Sequence, residues 1–437
     1  MDGPEDDDVL GVFGHDTAAR PTRAYVLHPD VKGRSARRLP ELGLAEAVSL
    51  AAALPGLTVE GAEVVRLSKV QPATLLGSGK VEDLGARFKA AEIDLVLVDG
   101  PVSPVQQRNL EKEWGVKLLD RTGLILEIFA DRARTREGVL QVELAALAYQ
   151  RTRLVRAWTH LERQRGGFGF VGGPGETQIE SDRRALDDQV IKLRRQLEKV
   201  VRTRELHRAA RRKVPFPIVA LVGYTNAGKS TLFNRMTGAE VLAKDMLFAT
   251  LDPTMRGLVL PDGQKVILSD TVGFISDLPT QLVAAFRATL EEVLEADLIC
   301  HVRDISHPES AEQAADVTDI LQSLGVKAET PMIEVWNKLD LVEGTALTAL
   351  EAQAGQRSDV RAVSALTGAG IDGLLAAISG MLQDPKSQVE LALSFAQGKQ
   401  RAWLHGKGLV LHETTGEEGW TLTVDWTARQ AAEFAQI

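Results

Sequence analysis

The segment PIVALVGYTNAGKST (Pro217–Thr231) leaves its surroundings few options. An apolar run precedes Gly223, four residues follow, and Gly228-Lys229-Ser230 leads into the helix-like TLFNRMTG. Strand, glycine-rich turn, helix is the context a phosphate-cradling loop requires. The glycines let main-chain N–H groups approach an anion at a helix N-terminus. Lys229 is expected to reach the β- and γ-phosphates of a nucleotide, and the Ser230 hydroxyl to ligate Mg²⁺. Tyr224, Thr225, Asn226, Ala227 and Thr231 complete the expected binding loop.

Three further elements follow in order. Asp270-Thr271-Val272-Gly273 closes the strand KVILSD, where the acid can hold a Mg²⁺-bound water and the Gly273 N–H can meet a γ-phosphate. Asn337-Lys338-Leu339-Asp340 follows the strand MIEVW. The Asp340 carboxylate can accept both the ring N–H and the amino group of guanine. Adenine offers no such pair and leaves a buried carboxylate unpaired, so GTP is selected over ATP. Ser364-Ala365-Leu366 follows VRAV and is placed to offer backbone to the guanine oxygen. Between the phosphate-cradling loop and Asp270 lies LFATLDPTMR (Leu247–Arg256), whose Thr250 and Thr254 are both candidates to close over Mg²⁺. The residue after Gly273 is Phe274, where many such enzymes carry a Gln that orients water, so the catalytic group is left unassigned.

The remaining chain frames this site. Its 437 residues suffice for two to four domains at about 150 residues each. The single cysteine, Cys300, excludes an internal disulfide and fits a reducing compartment. No stretch approaches the roughly 18 apolar residues of a membrane span. Residues 1–21 read as a disordered acidic tail on a cytoplasmic protein. Residues 22–131 alternate strand-like and helix-like runs and read as a small α/β domain. Residues 132–213 carry apolar residues at 4-3 spacing in two blocks, separated by glycines in the stretch 166–175, which reads as an antiparallel helical hairpin with a Gly-rich tip. Residues 214–384 form the GTPase domain, and 385–437 a small α+β module without legible chemistry. The fold class is thus α/β. The net charge is −9, yet residues 132–213 hold twenty Lys and Arg against ten Asp and Glu, which points to a local polyanion contact. Phe168 and Phe170 on the tip could stack on bases, with Arg163, Arg165, Arg183 and Arg184 bordering it as phosphate contacts.

FATLDP, DTVGFI, NKLD, GGFGFVGGPGETQIESDRR and PATLLGSGKVEDL together resemble the HflX family of bacterial GTPases, from about residue 22 to nearly the end of the chain. The resemblance implies a protein that binds the large ribosomal subunit and its RNA and splits or rescues ribosomes under stress; a monomer that meets membranes only peripherally, through ribosomes, is expected. It implies that Thr250 is the switch threonine, with Phe248, Ala249, Leu251 and Asp252 beside it, and that a hydrophobic residue follows Gly273. Slow intrinsic turnover stimulated by a partner is expected. The place of Asn226 is similar to that of the asparagine of potassium-dependent GTPases, which adds K⁺ as a second ion. Two rival functions are a GTP-gated protein assembly switch and a tRNA-modification GTPase. The latter is weakened because Cys300 is the only cysteine.

Overall fold

The computed structural model describes residues 20–32, 38–164, 174–211, 216–239, 247–248, 251, 253–276, 291–327, 329–383, 386–416 and 418–435. The acidic tail through residue 19, the tip residues Arg165, Phe168 and Phe170, and Ala249, Thr250 and Asp252 lie outside them, as does the side chain of Arg163. The chain divides into two compact units. The larger comprises Met1–Val259 and Lys265–Leu374, the smaller Leu260–Gln264 and Leu375–Ile437.

In the larger unit, β1 (Thr22–Val31), β2 (Leu57–Leu67), β3 (Leu95–Val98) and β4 (Lys117–Asp120) form a parallel sheet in the order β2-β1-β3-β4. Leu-Val-Leu-Val of β3 is buried throughout, as a strand covered on both faces must be. The helices α1 (Pro40–Ala52), α2 (Ser78–Ala90) and α3 (Pro104–Trp114) connect the strands. Their boundaries follow local chemistry. Ser103 and Gln106 form a capping box, Pro104 occupies the first turn, and Gly115 ends α3 with φ 70°.

A fourth helix, α4 (Arg121–Arg132), was not expected. It starts directly from β4, with the Asp120 side chain accepting from the Gly123 N–H at 2.8 Å. Leu124, Ile125, Leu126, Ile128 and Phe129 are buried along it. The long helices α5 (Arg136–Gln164) and α6 (Pro174–Arg211) follow and pack together. Arg151 Nε lies 3.3 Å from Asp187 Oδ1, a pairing that a hairpin reversing between the two helices produces.

The second sheet holds β5 (Ile218–Gly223), β6 (Thr254–Val259), β7 (Lys265–Asp270), β8 (Leu298–Asp304), β9 (Met332–Asn337) and β10 (Val360–Ala362) in the order β10-β9-β8-β5-β7-β6. All neighbours are parallel except β6, which runs antiparallel to β7. Helix α7 (Lys229–Thr237) follows β5. Cys300 sits in the middle of β8, fully buried, and burial pushes its thiol up to about 12. One hydrophobic cluster runs from Ala24, Leu97, Ile125 and Phe129 to Val222, Tyr224, Phe248 and Phe274, so the two sheets share a core. Among the described residues no helix is long and apolar enough to cross a membrane.

In the smaller unit β11 (Lys386–Ser394), β12 (Val410–Thr415) and β13 (Gly419–Thr427) form an antiparallel sheet in the order β11-β13-β12. Leu393, Leu404, Leu422, Val424 and Trp426 make its core. The closing helix Ala428–Phe434 was missed, although Thr427 and Gln430 form a capping box that announces it.

Candidate nucleotide site

Of the five parallel strands of the second sheet, four end at or just before residues singled out by the sequence. Gly223 ends β5, Asp270 ends β7, Asp304 ends β8, Asn337 ends β9, and Ser364 follows β10. In an open α/β sheet the ligand crevice lies at these carboxyl ends, where strand order reverses, and here that is beside β5.

The loop Gly223–Ser230 is closed tightly on its neighbours. A Cβ at Gly223 would lie 2.1 Å from the Val302 carbonyl oxygen. At Gly228, φ is +91° and a Cβ would lie 2.2 Å from Asn337 Nδ2. Both positions therefore demand glycine. Lys229 is buried and donates to the carbonyls of Gly223 (3.1 Å) and Tyr224 (2.9 Å). Burial pulls its amine down to about 8 from the ordinary 10.5, with Asp270 partly opposing. A Cβ at Gly273 would lie 3.1 Å from Lys229 Nζ, so the D-x-x-G glycine and the lysine meet at one point. Ser230 Oγ donates to Asp270 Oδ2 at 2.7 Å. A hydroxyl and a carboxylate converging at the cradle are hard oxygen donors of the kind Mg²⁺ takes. Among the described residues no group of three or more His, Cys, Asp or Glu could hold a metal by itself, and His301 and His307 belong to none.

The base-side elements are also brought together. Asn337 Nδ2 donates to the Ala227 carbonyl and its Oδ1 accepts from the Ala365 N–H, both at 2.9 Å. The Ser364 hydroxyl donates to Asp340. Lys338 pairs with Asp304 at 2.8 Å. Leu366 is exposed at the lip. Thr271 is buried and donates to the Leu221 carbonyl at 2.6 Å, a strand-to-strand tie.

Phe274 holds a different place from that suggested by its sequence neighbours. Its carbonyl accepts from the Thr225 N–H at 2.7 Å and its N–H donates to the Gly223 carbonyl at 3.1 Å. Its ring is fully buried in the shared core. The residue that stands in the place of a glutamine thus fastens this segment to β5 through its backbone and buries its ring in the core.

Sequence reading missed Glu46, Arg121 and Arg38, which meet this segment from the side of the first sheet, and the part Tyr224 plays in joining them. Tyr224 accepts the Ser276 N–H at 2.8 Å and donates to Glu46 at 2.5 Å. Arg121, the first residue of α4, donates to the Ser276 carbonyl (3.0 Å), to Glu46 (2.6 Å) and to Asp99 (2.5 Å). Arg38 donates to Glu46 (2.9 Å) and to the Ser276 hydroxyl (2.8 Å). Burial opposes charge on Arg121, but Asp99 and Glu46 outweigh it and keep the guanidinium ionised. Burial likewise opposes ionisation of Glu46, and Arg121 and Arg38 hold it below the ordinary carboxylate range. Farther along α4, Phe129 meets Phe248 edge-on at 4.7 Å between ring centres. Arg183 and Arg184 are exposed on α6, Arg183 lying 3.9 Å from Asp187. Lys80, in GSGK, pairs with Glu63 at 2.7 Å, and the helix there begins at Ser78, so Gly79 lies inside it.

Comparison with known proteins gives the family. Four family models match in order: a GTP-binding GTPase N-terminal region (41–130), a GTP-binding GTPase middle region (132–211), a 50S ribosome-binding GTPase (218–338) and an HflX C-terminal domain (349–436). The GTPase HflX of Magnetococcus marinus is 50% identical over 94% of this chain and 94% of its own length. That of Escherichia coli is 44% identical over 83% of this chain and 84% of its own. A GTP-binding protein of Sulfolobus solfataricus, solved with GDP, is 23% identical over 82% of this chain and 98% of that one, with a TM-score of 0.44. With half of all aligned residues shared with a full-length relative, the chain belongs to the HflX family of GTPases.

Proposed function

We propose that this GTPase acts on the large ribosomal subunit, contacting ribosomal RNA through α5, α6 and the segment between them, and that it splits or rescues ribosomes. The observation that carries the reading is the match of residues 218–338 to a family described as 50S ribosome-binding, beside a helical pair whose sequence is strongly basic in an otherwise acidic chain. In this reading the order of parts is that expected at residues 22, 132, 214 and 385.

At the site, the loop Gly223–Thr231 cradles the phosphates and Lys229 neutralises them. Asp340 reads the guanine edge and Ser364–Leu366 offers backbone to its oxygen. Ser230 and Asp270, the latter through water, would hold Mg²⁺, joined by Thr250; the ion supplies positive charge against the phosphate oxygens when bound. Asn226 takes φ 59°, which asparagine tolerates, so its backbone alone accounts for its presence. A role in holding K⁺ is a separate part of the proposal, and equal turnover in matched Na⁺ and K⁺ buffers would remove it. Since Phe274 lies in the core, the group that orders the attacking water is supplied by backbone, solvent, K⁺ or the ribosome, and intrinsic turnover is slow.

Co-sedimentation with isolated ribosomal subunits tests the ribosomal reading. Pelleting with the large subunit in the presence of a non-hydrolysable GTP analogue, reduced with GDP and weakened steeply by salt, is expected. Pelleting that ignores nucleotide and subunit would sink it.

A further inference from the structure

We infer that Arg235 is a positioning residue for base recognition, holding from α7 the loop that meets the guanine oxygen. The inference rests on the reading of Asp340 and Ser364–Leu366 as the guanine site. Arg235 Nε donates to the Ala365 carbonyl at 3.1 Å, and its Nη2 donates to the Leu366 carbonyl. The two acceptors are consecutive, and a planar guanidinium can serve both, whereas an ammonium on a flexible stem presents a point charge. On the opposite side the Ala365 N–H is held by Asn337. Ala365 is therefore held on both sides, at its N–H by Asn337 at the end of β9 and at its carbonyl by Arg235 on α7. Gly368, at φ +93°, passes 3.9 Å from the guanidinium measured from a Cβ built on it, so the loop curls around the arginine head.

The loop already has its own turn. Gly368 N–H donates to the Ser364 carbonyl at 2.8 Å, and Thr367 N–H to the Ser364 hydroxyl at 3.1 Å. These bonds give the loop a shape and leave its position undefined. Asn337 and Asp340 hold the loop from the β9 side, and Arg235 holds it from the helix whose first residue is Lys229. Six residues of helix span about 9 Å. One rigid element thus sets the distance between the phosphate cradle and the lip of the base pocket, and Arg235 is the contact at the far end.

The test is equilibrium binding of GDP, IDP and XDP, with tripolyphosphate as a competitor for the phosphate cradle alone, to the full chain and to Arg235→Ala, Arg235→Lys and Asp340→Asn. Inosine keeps the 6-oxo group and lacks the 2-amino group. A loosened 364–366 loop therefore weakens GDP and IDP by one factor, about tenfold for Arg235→Ala, and leaves their ratio and the tripolyphosphate affinity unchanged. Arg235→Lys should fall between, and it decides the matter if the alanine variant does not fold. Unchanged GDP binding, an altered GDP-to-IDP ratio, or an equal loss for tripolyphosphate overturns the inference. Asp340→Asn should move preference from GDP toward XDP. If it does not, the guanine-site reading itself fails, whatever Arg235 does.

Discussion

The two parallel sheets of the larger unit are built alike and finished differently. In each, polar side chains gather at the carboxyl ends of the strands. In the second sheet those ends carry Gly223, Asp270, Asp304 and Asn337, with the buried Lys229 in the loop after β5, and burial disfavours the charge of that lysine. In the first they carry Asp99, Asp120 and Arg121, whose charges are already paired: Arg121 with Asp99 and with Glu46, to which Tyr224 also donates, and Asp120 with Arg153. The lesson concerns polar groups at a sheet edge. An edge that keeps its backbone accessible and its charge under-compensated is prepared for a polyanion. An edge whose charges are paired in place is prepared for the protein itself.

The largest expected effect of breaking that contrast is at Lys229. Lys229→Ala should reduce GTP hydrolysis by about 10²–10³-fold, measured as phosphate release at saturating GTP. Retention of full turnover would mean that the second sheet's edge is not where phosphate charge is met. At the first sheet the corresponding change is Arg121→Met. It leaves Glu46 and Asp99 buried without their shared cation and should lower stability by about 3–5 kcal/mol in urea unfolding of the full chain. A loss below about 1 kcal/mol would show that water reaches this edge, and the contrast between the sheets would shrink accordingly.

These two edges differed just as much in how far sequence could read them. Gly223, Gly228, Lys229, Asp270, Asn337 and Asp340 were legible because a nucleotide fixes residue types at short spacings within each loop. The pairs Glu46–Tyr224 and Arg121–Ser276 join distant parts of the chain and leave no spacing to recognise. Helix α4 escaped for a local reason. Asp120 is both the last residue of β4 and the N-cap of α4, so no glycine or proline marks the boundary. Its buried stretch LILEIF then reads as well for a strand as for a helix. Phe274 was legible as an absence of glutamine, and its actual work, backbone pairing with Gly223 and Thr225, is carried by atoms common to every residue.

The smallest expected effect is on protons. Folding lowers the Lys229 amine from 10.5 to about 8, so between those values the unfolded chain binds more protons than the folded one. Stability without nucleotide should therefore rise as pH climbs through this window. A bound polyphosphate favours the charged amine and raises its pKa. GDP binding above about pH 8 should take up protons, seen as a buffer-dependent heat in calorimetry, and should weaken as pH rises further. Arg121 stays ionised throughout and contributes nothing there. No buffer dependence at pH 8.5–9.5 would mean that Lys229 is already charged in the free chain.

Cys300 lies at the centre of β8, out of reach of solvent and with a thiol that stays protonated well above neutral pH. Since the thiolate is the reactive form, the folded chain is in effect a cysteine-free background. A reporter cysteine placed near Ser276 or on Arg183 can be labelled with a maleimide dye while the native thiol is left in place, and the β8 core need not be altered to follow either region during turnover.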